Sequence, residues 1–205
     1  EMRPSPNHDA RPAGAAVDAL ILHYTGMTTG SAALARLTDP AAQVSAHYLV
    51  AENGHIFSLV AEDRRAWHAG ASSWAGRQRL NDVSIGVEIV NPGHDWGLKM
   101  FPAAQIEAVI ALSRDILARH GVRPARVLAH SDIAPMRKRD PGELFPWGCL
   151  ARAGVGLWPD VTRQRRAGPR PEIIHAQRML ARWGYRVPET GVLDPETAAV
   201  VVAFQ

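Results

Sequence analysis

Apolar runs that fit buried strands alternate along the chain with segments of helical spacing. Residues 17–24 (VDALILHY) are mostly apolar and rich in strand formers, which predicts a buried strand. Residues 45–51 and 55–60 flank Glu52-Asn53-Gly54, and an Asn-Gly pair between apolar runs is typical of a β-hairpin. Residues 83–90 (VSIGVEIV) alternate small or polar with apolar side chains, which predicts another strand.

Helical periodicity is clearest in residues 102–120, where one apolar face follows Pro102 and Gly121 ends the run. A shorter helix is predicted through Leu37, with Ser31 as its N-terminal cap. Strands that alternate with helices, together with one hairpin, predict an α/β fold with a mixed β-sheet flanked by helices.

Two segments of the first 160 residues lack clear periodicity. The first twelve residues are polar and Pro-rich, and we expect them to form an arm. A short strand is predicted at residues 126–130, and residues 131–147 then form a long loop with three prolines. Because loops of this length inside a compact domain usually serve a function, residues 131–147 are a candidate for part of a site.

The composition changes near residue 156, and helical spacing returns in residues 172–183. Asp194 and Pro195 are typical of the cap and first position of a last helix. The sequence therefore divides into an α/β domain at 1–160, an Arg- and Pro-rich linker at 161–171 and a small all-α module at 172–205. Because a module of this length is too short to form a stable core of its own, we expect it to pack on the first domain.

Composition excludes several classes of protein. Of the 205 residues, 46% are hydrophobic and 21% charged, which excludes disorder and coiled coil as descriptions of the whole chain. The net charge of +3 arises after residue 160, and the first 160 residues are neutral, so no basic face for nucleic acid is predicted. The single cysteine, Cys149, excludes an intramolecular disulfide, and we expect it to be a buried or half-buried structural residue.

No apolar stretch of the sequence is long enough to span a bilayer. The chain as given begins without the apolar core of a signal peptide, which favours a cytoplasmic protein. The alternative, if a signal has been removed, is a periplasmic or outer-membrane-anchored protein.

Histidines at strand ends are the first candidates for chemistry. His23 ends the first predicted strand, His130 ends another, and Asp140 follows ten residues later in the long loop. A His/His/Asp set would leave zinc one open position, where the pKa of bound water falls to about 7. By spacing alone this signal is weak, because a single histidine in such a sequence more often has a structural or surface role.

Two charged residues offer complementary roles. Glu88 lies inside an apolar strand on its less apolar face, where it is either a solvated carboxylate or a general base. Lys138 lies two residues before Asp140 and is either a solvated loop charge or a cation that stabilises an oxyanion.

Several blocks of sequence resemble one enzyme family in order. They are residues 21–25 (ILHYT), 45–50 (SAHYLV), 66–70 (AWHAG), 81–88 (NDVSIGVE) and 129–142 (AHSDIAPMRKRDPG). The chain resembles the zinc-dependent N-acetylmuramoyl-L-alanine amidases of the type-2 amidase family, the AmpD/AmiD group, over about residues 4 to 160. The resemblance implies the amidase/peptidoglycan-recognition α/β fold.

The resemblance also implies a reaction and a site. The bond cleaved would join the lactyl group of N-acetylmuramic acid, or its 1,6-anhydro form, to the L-alanine of a stem peptide. His23, His130 and Asp140 would bind one zinc ion, Glu88 would be the catalytic acid/base, and Lys138 would assist at the oxyanion.

Substrate contacts are predicted less directly. In the same reading Trp67 and His68 line the substrate groove, although Trp67 fits a core position about as well. Arg77, or its neighbour Arg79, is a candidate to bind a stem-peptide carboxylate, against the alternative of a solvated loop arginine. His47 is expected to be buried and hydrogen-bonded and stays outside the catalytic set.

Residues 177–185 (QRMLARWGY) and 191–197 (GVLDPET) resemble a three-helix peptidoglycan-binding module, which is expected to be truncated or degenerate here. The resemblance implies peptidoglycan or a soluble muropeptide as partner, in murein turnover or recycling, and a monomeric protein. One rival is a non-catalytic peptidoglycan-recognition protein, against which the chain keeps all three ligands and Glu88. Another rival is a Cys/His hydrolase, for which Cys149 lacks a recognisable nucleophile setting.

Overall fold

A computed structural model describes residues 1–159 and 172–205, and the predicted linker at 161–171 lies outside these ranges. The strands in these ranges are β1 (His8–Ala10), β2 (Ala19–Tyr24), β3 (Tyr48–Val50), β4 (Ile56–Ser58), β5 (Arg64–Ala66), β6 (Ser73–Trp74), β7 (Arg77–Gln78), β8 (Ser84–Ile89) and β9 (Val127–Ala129). The strands predicted within residues 17–24, 45–60, 83–90 and 126–130 therefore all form, each with shorter bounds.

The helices are α1 (Gly30–Thr38), α2 (Gly93–Trp96), α3 (Ala103–His120), α4 (His130–Ile133), α5 (Trp147–Arg152), α6 (Ile173–Trp183) and α7 (Pro195–Phe204). Short 3-10 helices cover Pro40–Ala42, Leu80–Val83 and Pro124–Arg126. Within the described ranges, every helix is too short or too polar to cross a bilayer.

A five-stranded mixed sheet organises the first 159 residues. Its strand order is β4-β3-β8-β2-β9, and β4 alone runs antiparallel to its neighbour. On one face, Leu20 and Leu22 of β2 pack with the apolar side of α3. On the other face, Ala19 and Ile21 pack with a cluster that includes Ile133 of α4. The predicted fold class, a mixed sheet flanked by helices, is confirmed.

The sheet brings its functional side chains to one edge. β2 and β8 are parallel and in register, so that His23 lies beside Glu88 on the same face of the sheet. β9 is parallel to β2 on its other side and leads directly into α4 at His130. Because the carboxyl ends of parallel strands meet at the same edge, the two histidines and the glutamate share one neighbourhood.

The first twelve residues are not a free arm, which corrects the expectation from their composition. β1 pairs with β5, and Ser5 and Asn7 are buried. The guanidinium of Arg11 donates to the carbonyl oxygens of Glu62, Asn81, Asp82 and Ser84 at 2.9 to 3.1 Å. One side chain thus satisfies several backbone acceptors at once, which composition alone does not reveal.

Two local predictions were wrong. The cap of α1 is Thr29 rather than Ser31, since Thr29 Oγ1 accepts from the backbone N–H of Ala32 at 3.1 Å. Cys149 is exposed rather than buried, because α5 turns Leu150 into the core and leaves Cys149 on the outside.

Helices α6 and α7 pack on the second face of the sheet, as expected for so short a module. Leu180 and Val200 join the cluster around Ile21, and the Tyr185 ring contacts Trp74 edge to face at 4.8 Å between centroids. The cap of α7 is the predicted one, with Asp194 Oδ1 accepting from Thr197 N at 2.7 Å. The C-terminal helices therefore share an apolar core with the sheet.

A polar contact joins this C-terminal segment to α4. The hydroxyl of Tyr185 donates to Asp132 Oδ1, while Asp132 Oδ2 accepts from the backbone N–H of Ala129 at 2.7 Å. Burial raises the pKa of Asp132 to about 6, although both hydrogen bonds oppose the rise. Asp132 lies two residues after His130, so Tyr185 supports the helix that carries a candidate ligand.

We expect Tyr185→Phe to lower the free energy of unfolding by about 1–3 kcal/mol, because a buried acceptor loses its donor. Tyr48→Phe is the matched control. Its hydroxyl donates to Glu62, which keeps Arg119 and His120 as donors, so a smaller loss is expected. Urea unfolding at pH 7 measures both variants, and equal losses would contradict a special role for the Tyr185 hydroxyl.

Candidate metal centre and active-site cleft

Three predicted ligands converge at the edge of the sheet. Nδ1 of His23 lies 2.8 Å from Nδ1 of His130 and 3.1 Å from Oδ2 of Asp140. Nδ1 of His130 lies 3.0 Å from the same carboxylate oxygen. All three residues are buried, and in the described ranges they form the one group of histidine, cysteine or acidic side chains close enough to share a metal ion.

Local structure explains the convergence. His23 is the penultimate residue of β2, and His130 is the first residue of α4. Asp140 comes from the loop that follows α4, and its carbonyl oxygen accepts from the backbone N–H of Ser131 at 3.0 Å. The loop is thereby tied back to the start of α4, which holds the carboxylate opposite both imidazoles.

The protonation of these groups suits a cation. Nε2 of His130 donates to the carbonyl oxygen of Ala69 at 3.2 Å, so a neutral His130 carries no proton on Nδ1. Burial lowers the pKa of His23 to about 4. Burial opposes ionisation of Asp140, but the imidazoles of His130 and His23 hold its pKa below the usual range. A neutral His23 imidazole and an ionised Asp140 carboxylate therefore face one another.

The donor set also fits zinc in geometry. Zn–N and Zn–O bonds of about 2.0–2.1 Å at tetrahedral angles place ligand atoms about 3.3 Å apart. The observed separations of 2.8 to 3.1 Å differ from this by a few tenths of an ångström. Two histidines and one carboxylate leave the fourth position open, as catalytic zinc sites require.

Glu88 lies beside the ligands with an unused oxygen. Glu88 as a whole is half-buried, but its Oε2 atom is buried and has no hydrogen-bond partner among residues 1–159 and 172–205. Burial raises the pKa of Glu88 well above its usual value, and the charge of Asp140 raises it further. The Lys138 ammonium acts in the opposite direction. A carboxyl group with a raised pKa in a cleft is suited to accept and return a proton.

A cleft of about 380 Å³ opens over these groups, within the range usual for small-molecule sites. Glu88, Lys138 and Trp67 line it together with His130 and Asp140. The cleft wall also carries the arginines Arg36, Arg137 and Arg139. Glu88, Asp95 and Asp140 also line the cleft, so its positive and negative side chains nearly balance.

The other predicted site residues differ in their relation to the cleft. His68 lines the cleft as predicted, although most of its surface is buried and its two ring nitrogens lie near His23 and Ser84. Arg77 lies on the exposed strand β7 near Asp18 and is not among the residues that line the cleft. Cys149 is absent from that lining too.

One series of hydrogen-bonded side chains beside the cleft was not predicted from the sequence. The Tyr24 hydroxyl lies 2.9 Å from Nδ1 of His94, and Nε2 of His94 lies 2.9 Å from Glu143. The Tyr24 ring packs against Gly93, where an added Cβ would meet it at 2.5 Å. These two contacts link the segment after β8 to the loop that carries Asp140. The residues of this series are far apart in sequence, so no local sequence pattern predicts their contacts.

Comparison with known proteins places the chain in a family. A sequence model described as N-acetylmuramoyl-L-alanine amidase matches residues 13–143. The chain belongs to the N-acetylmuramoyl-L-alanine amidase family. A second model, a peptidoglycan binding domain, matches residues 169–205. The family predicted from the ordered sequence blocks is thus confirmed, and so is the resemblance of the C-terminal segment.

Individual members of this amidase family agree with the assignment. The chain is 45% identical to N-acetylmuramoyl-L-alanine amidase AmiD of Escherichia coli over 92% of its own length and 74% of that protein. It is 35% identical to 1,6-anhydro-N-acetylmuramyl-L-alanine amidase AmpD of Enterobacter cloacae over 70% of its length and 84% of that protein. These relatives are bacterial.

A solved structure matches the fold over nearly the whole chain. It is the complex of E. coli AmiD with anhydro-N-acetylmuramic acid-L-Ala-D-gamma-Glu-L-Lys, with a TM-score of 0.81 and 41% identity. The match covers 95% of this chain and 82% of AmiD. The amidase architecture therefore extends through the C-terminal helices.

Proposed function

We propose that this amidase hydrolyses the amide between the lactyl group of N-acetylmuramic acid, or its 1,6-anhydro form, and the L-alanine of peptidoglycan stem peptides. The observation that carries the proposal is the His23, His130 and Asp140 triad, of which His130 and Asp140 line a cleft together with Glu88. Membership of the amidase family and the substrate complex of E. coli AmiD support the choice of bond.

His23, His130 and Asp140 would hold one zinc ion through two Nδ1 atoms and a carboxylate oxygen. When bound, zinc supplies a Lewis acid that lowers the pKa of water and polarises a carbonyl group. Residues of the protein would supply proton transfer and stabilisation of the oxyanion, and the position of each residue indicates its role.

Glu88 would accept a proton from the attacking water and return it to the leaving alanine nitrogen. Its raised pKa and its buried, unpartnered Oε2 suit both halves of that transfer. Lys138, on the same cleft, would stabilise the negative charge that develops on the scissile carbonyl oxygen. Water is the nucleophile, so no covalent intermediate with the protein is needed.

Lys138→Ala is expected to lower kcat by roughly 100-fold, because one donor to the developing oxyanion is lost. KM should change little, since the charge that Lys138 meets exists mainly in the transition state. Steady-state kinetics on a soluble anhydro-muramyl peptide measures both constants. Lys99→Ala is the control, because Lys99 lies outside the cleft lining and should leave both unchanged. A raised KM with normal kcat would assign Lys138 to binding instead.

Mass spectrometry of digests tests the reaction itself. Anhydro-muramyl tripeptide and intact murein sacculi should both be offered, because each carries the scissile bond. The expected products are a free L-alanine amino terminus and a lactyl carboxylate. Cleavage between two stem amino acids or between sugars would overturn the proposal, and binding without any cleavage would favour a non-catalytic recognition protein.

We also propose that the chain acts as a monomer with two functional parts, a catalytic domain at 1–160 and a wall-contacting module at 172–205. Every residue of the candidate site comes from the first part. The match of residues 169–205 to a peptidoglycan binding domain supports the second. Sedimentation of the full chain tests the monomer, and cosedimentation with sacculi tests the wall contact.

A further inference from the structure

His68 lines the cleft, but both of its ring nitrogens contact groups of the protein itself. Its ring is buried, and Nδ1 lies 3.0 Å from Nε2 of His23. Its Nε2 lies 3.2 Å from the hydroxyl oxygen of Ser84. His68 therefore bridges the outer nitrogen of a candidate ligand to β8.

The direction of these hydrogen bonds follows from one proton count. The Ser84 hydroxyl donates its single proton to the carbonyl oxygen of Leu80 at 2.6 Å. Ser84 Oγ must then accept from His68, which places the imidazole proton of His68 on Nε2. A neutral imidazole carries one ring proton, so Nδ1 of His68 is an acceptor and receives a proton from Nε2 of His23.

This series of hydrogen bonds thus reaches the candidate metal site. With its proton on Nε2, His23 presents an unprotonated Nδ1 to His130 and Asp140. His130 is held in the same way, because its Nε2 donates to the carbonyl oxygen of Ala69. Consecutive residues, His68 and Ala69, therefore take the outer nitrogens of both candidate ligands.

This short segment is itself held in place. The backbone N–H groups of His68 and Ala69 both donate to Oδ1 of Asn81, at 3.1 and 2.7 Å. The His68 ring lies directly against β8 at Gly86, where an added Cβ would come within 2.3 Å of it. Gly86 thereby makes room for the ring at hydrogen-bond distance from His23.

We propose that His68 is a positioning residue that, with Ser84, fixes His23 in the tautomer whose Nδ1 is free to bind the metal. The inference rests on the metal site of the proposed function. Partners of the second nitrogen typically contribute 10- to 100-fold to metal affinity, because they orient the ring and select its tautomer.

Nuclear magnetic resonance of the uniformly 15N-labelled full chain reads the tautomers directly. Long-range proton–nitrogen correlation spectra separate protonated from unprotonated ring nitrogens, and His68→Asn identifies the His68 signals by their loss. Both the metal-free and the zinc-loaded chain should show His68 protonated on Nε2 and unprotonated on Nδ1. A His68 proton on Nδ1 would overturn the proposal.

Zinc competition against a chromogenic chelator measures the consequence. His68→Ala should weaken zinc binding by roughly 10- to 100-fold. His68→Asn, whose amide oxygen can accept near the original Nδ1 position, should recover part of the loss. Ser84→Ala is the milder variant and should weaken binding severalfold while its spectrum shows both His68 tautomers.

Ser113→Ala is the matched control for Ser84→Ala. Both serines are fully buried, but Ser113 Oγ has no hydrogen-bond partner in the two described ranges. Its zinc affinity should be unchanged. Unchanged affinity in both His68→Ala and Ser84→Ala would contradict the positioning role. A wild-type chain that binds no zinc would instead contradict the proposed metal site, since the tautomer of His68 is read without metal as well.

Discussion

Replacing Glu88 with glutamine should lower turnover by roughly 100- to 10,000-fold while zinc stays bound, the usual effect of removing a positioned acid or base. Glutamine keeps the size of the side chain but cannot take up and release a proton. The buried, unpartnered Oε2 of Glu88 and its position beside His23 make this the most informative catalytic substitution.

The measurement pairs kinetics with zinc content. Glu62→Gln is the control, because Glu62 pairs with Arg119 and His120 outside the cleft. That variant should keep normal turnover even if it is less stable. If Glu88→Gln lost its zinc together with its activity, Glu88 would be a coordinating residue and the assignment of the acid/base would be wrong.

Asp140→Asn should remove the metal itself. The carboxylate supplies the negative charge of the site, and an amide oxygen is a much weaker ligand for zinc. We expect zinc affinity to fall by more than about 100-fold, beyond the loss typical of an outer partner, and turnover to become undetectable at stoichiometric zinc.

Equilibrium dialysis followed by metal analysis gives the zinc content of this variant. Asp95→Asn serves as the comparison, since Asp95 lies on the same cleft but pairs with Arg139 rather than with the histidines. It should hold about one zinc per chain, as the wild type does. Retention of full zinc in Asp140→Asn would remove Asp140 from the ligand set.

The sequence predicted the parts of the site that lie on regular strands. His23 ends an apolar run and Glu88 lies in an alternating one, and the in-register pairing of β2 with β8 places them on the same face. Asp140 lies in a loop, where no periodicity places a side chain. Spacing alone made Asp140 a weak candidate, and the resemblance of the whole segment around it to a family strengthened that prediction.

What periodicity could not predict depends on contacts between distant residues. His68 was expected to line the substrate groove, and it does line the cleft, but its contacts with Gly86 and Ser84, on a strand 16 or more residues later, could not be predicted. The N-terminal segment was expected to form an arm, but Arg11 binds carbonyl groups more than 50 residues away. Composition describes such residues as polar, and only the fold gives them partners.

The contact between Tyr185 and Asp132 affects how the activity of a shortened chain must be interpreted. Deleting residues 172–205 would uncover Trp74 and withdraw the donor from Asp132, two residues from His130. A fall in activity on sacculi would then combine damage to the catalytic centre with lost attachment. Substitutions on the outer surface of the module, at the exposed Trp183 or Val202, separate the two effects. They leave the catalytic centre supported, so hydrolysis of a soluble muropeptide serves as the internal standard for wall attachment.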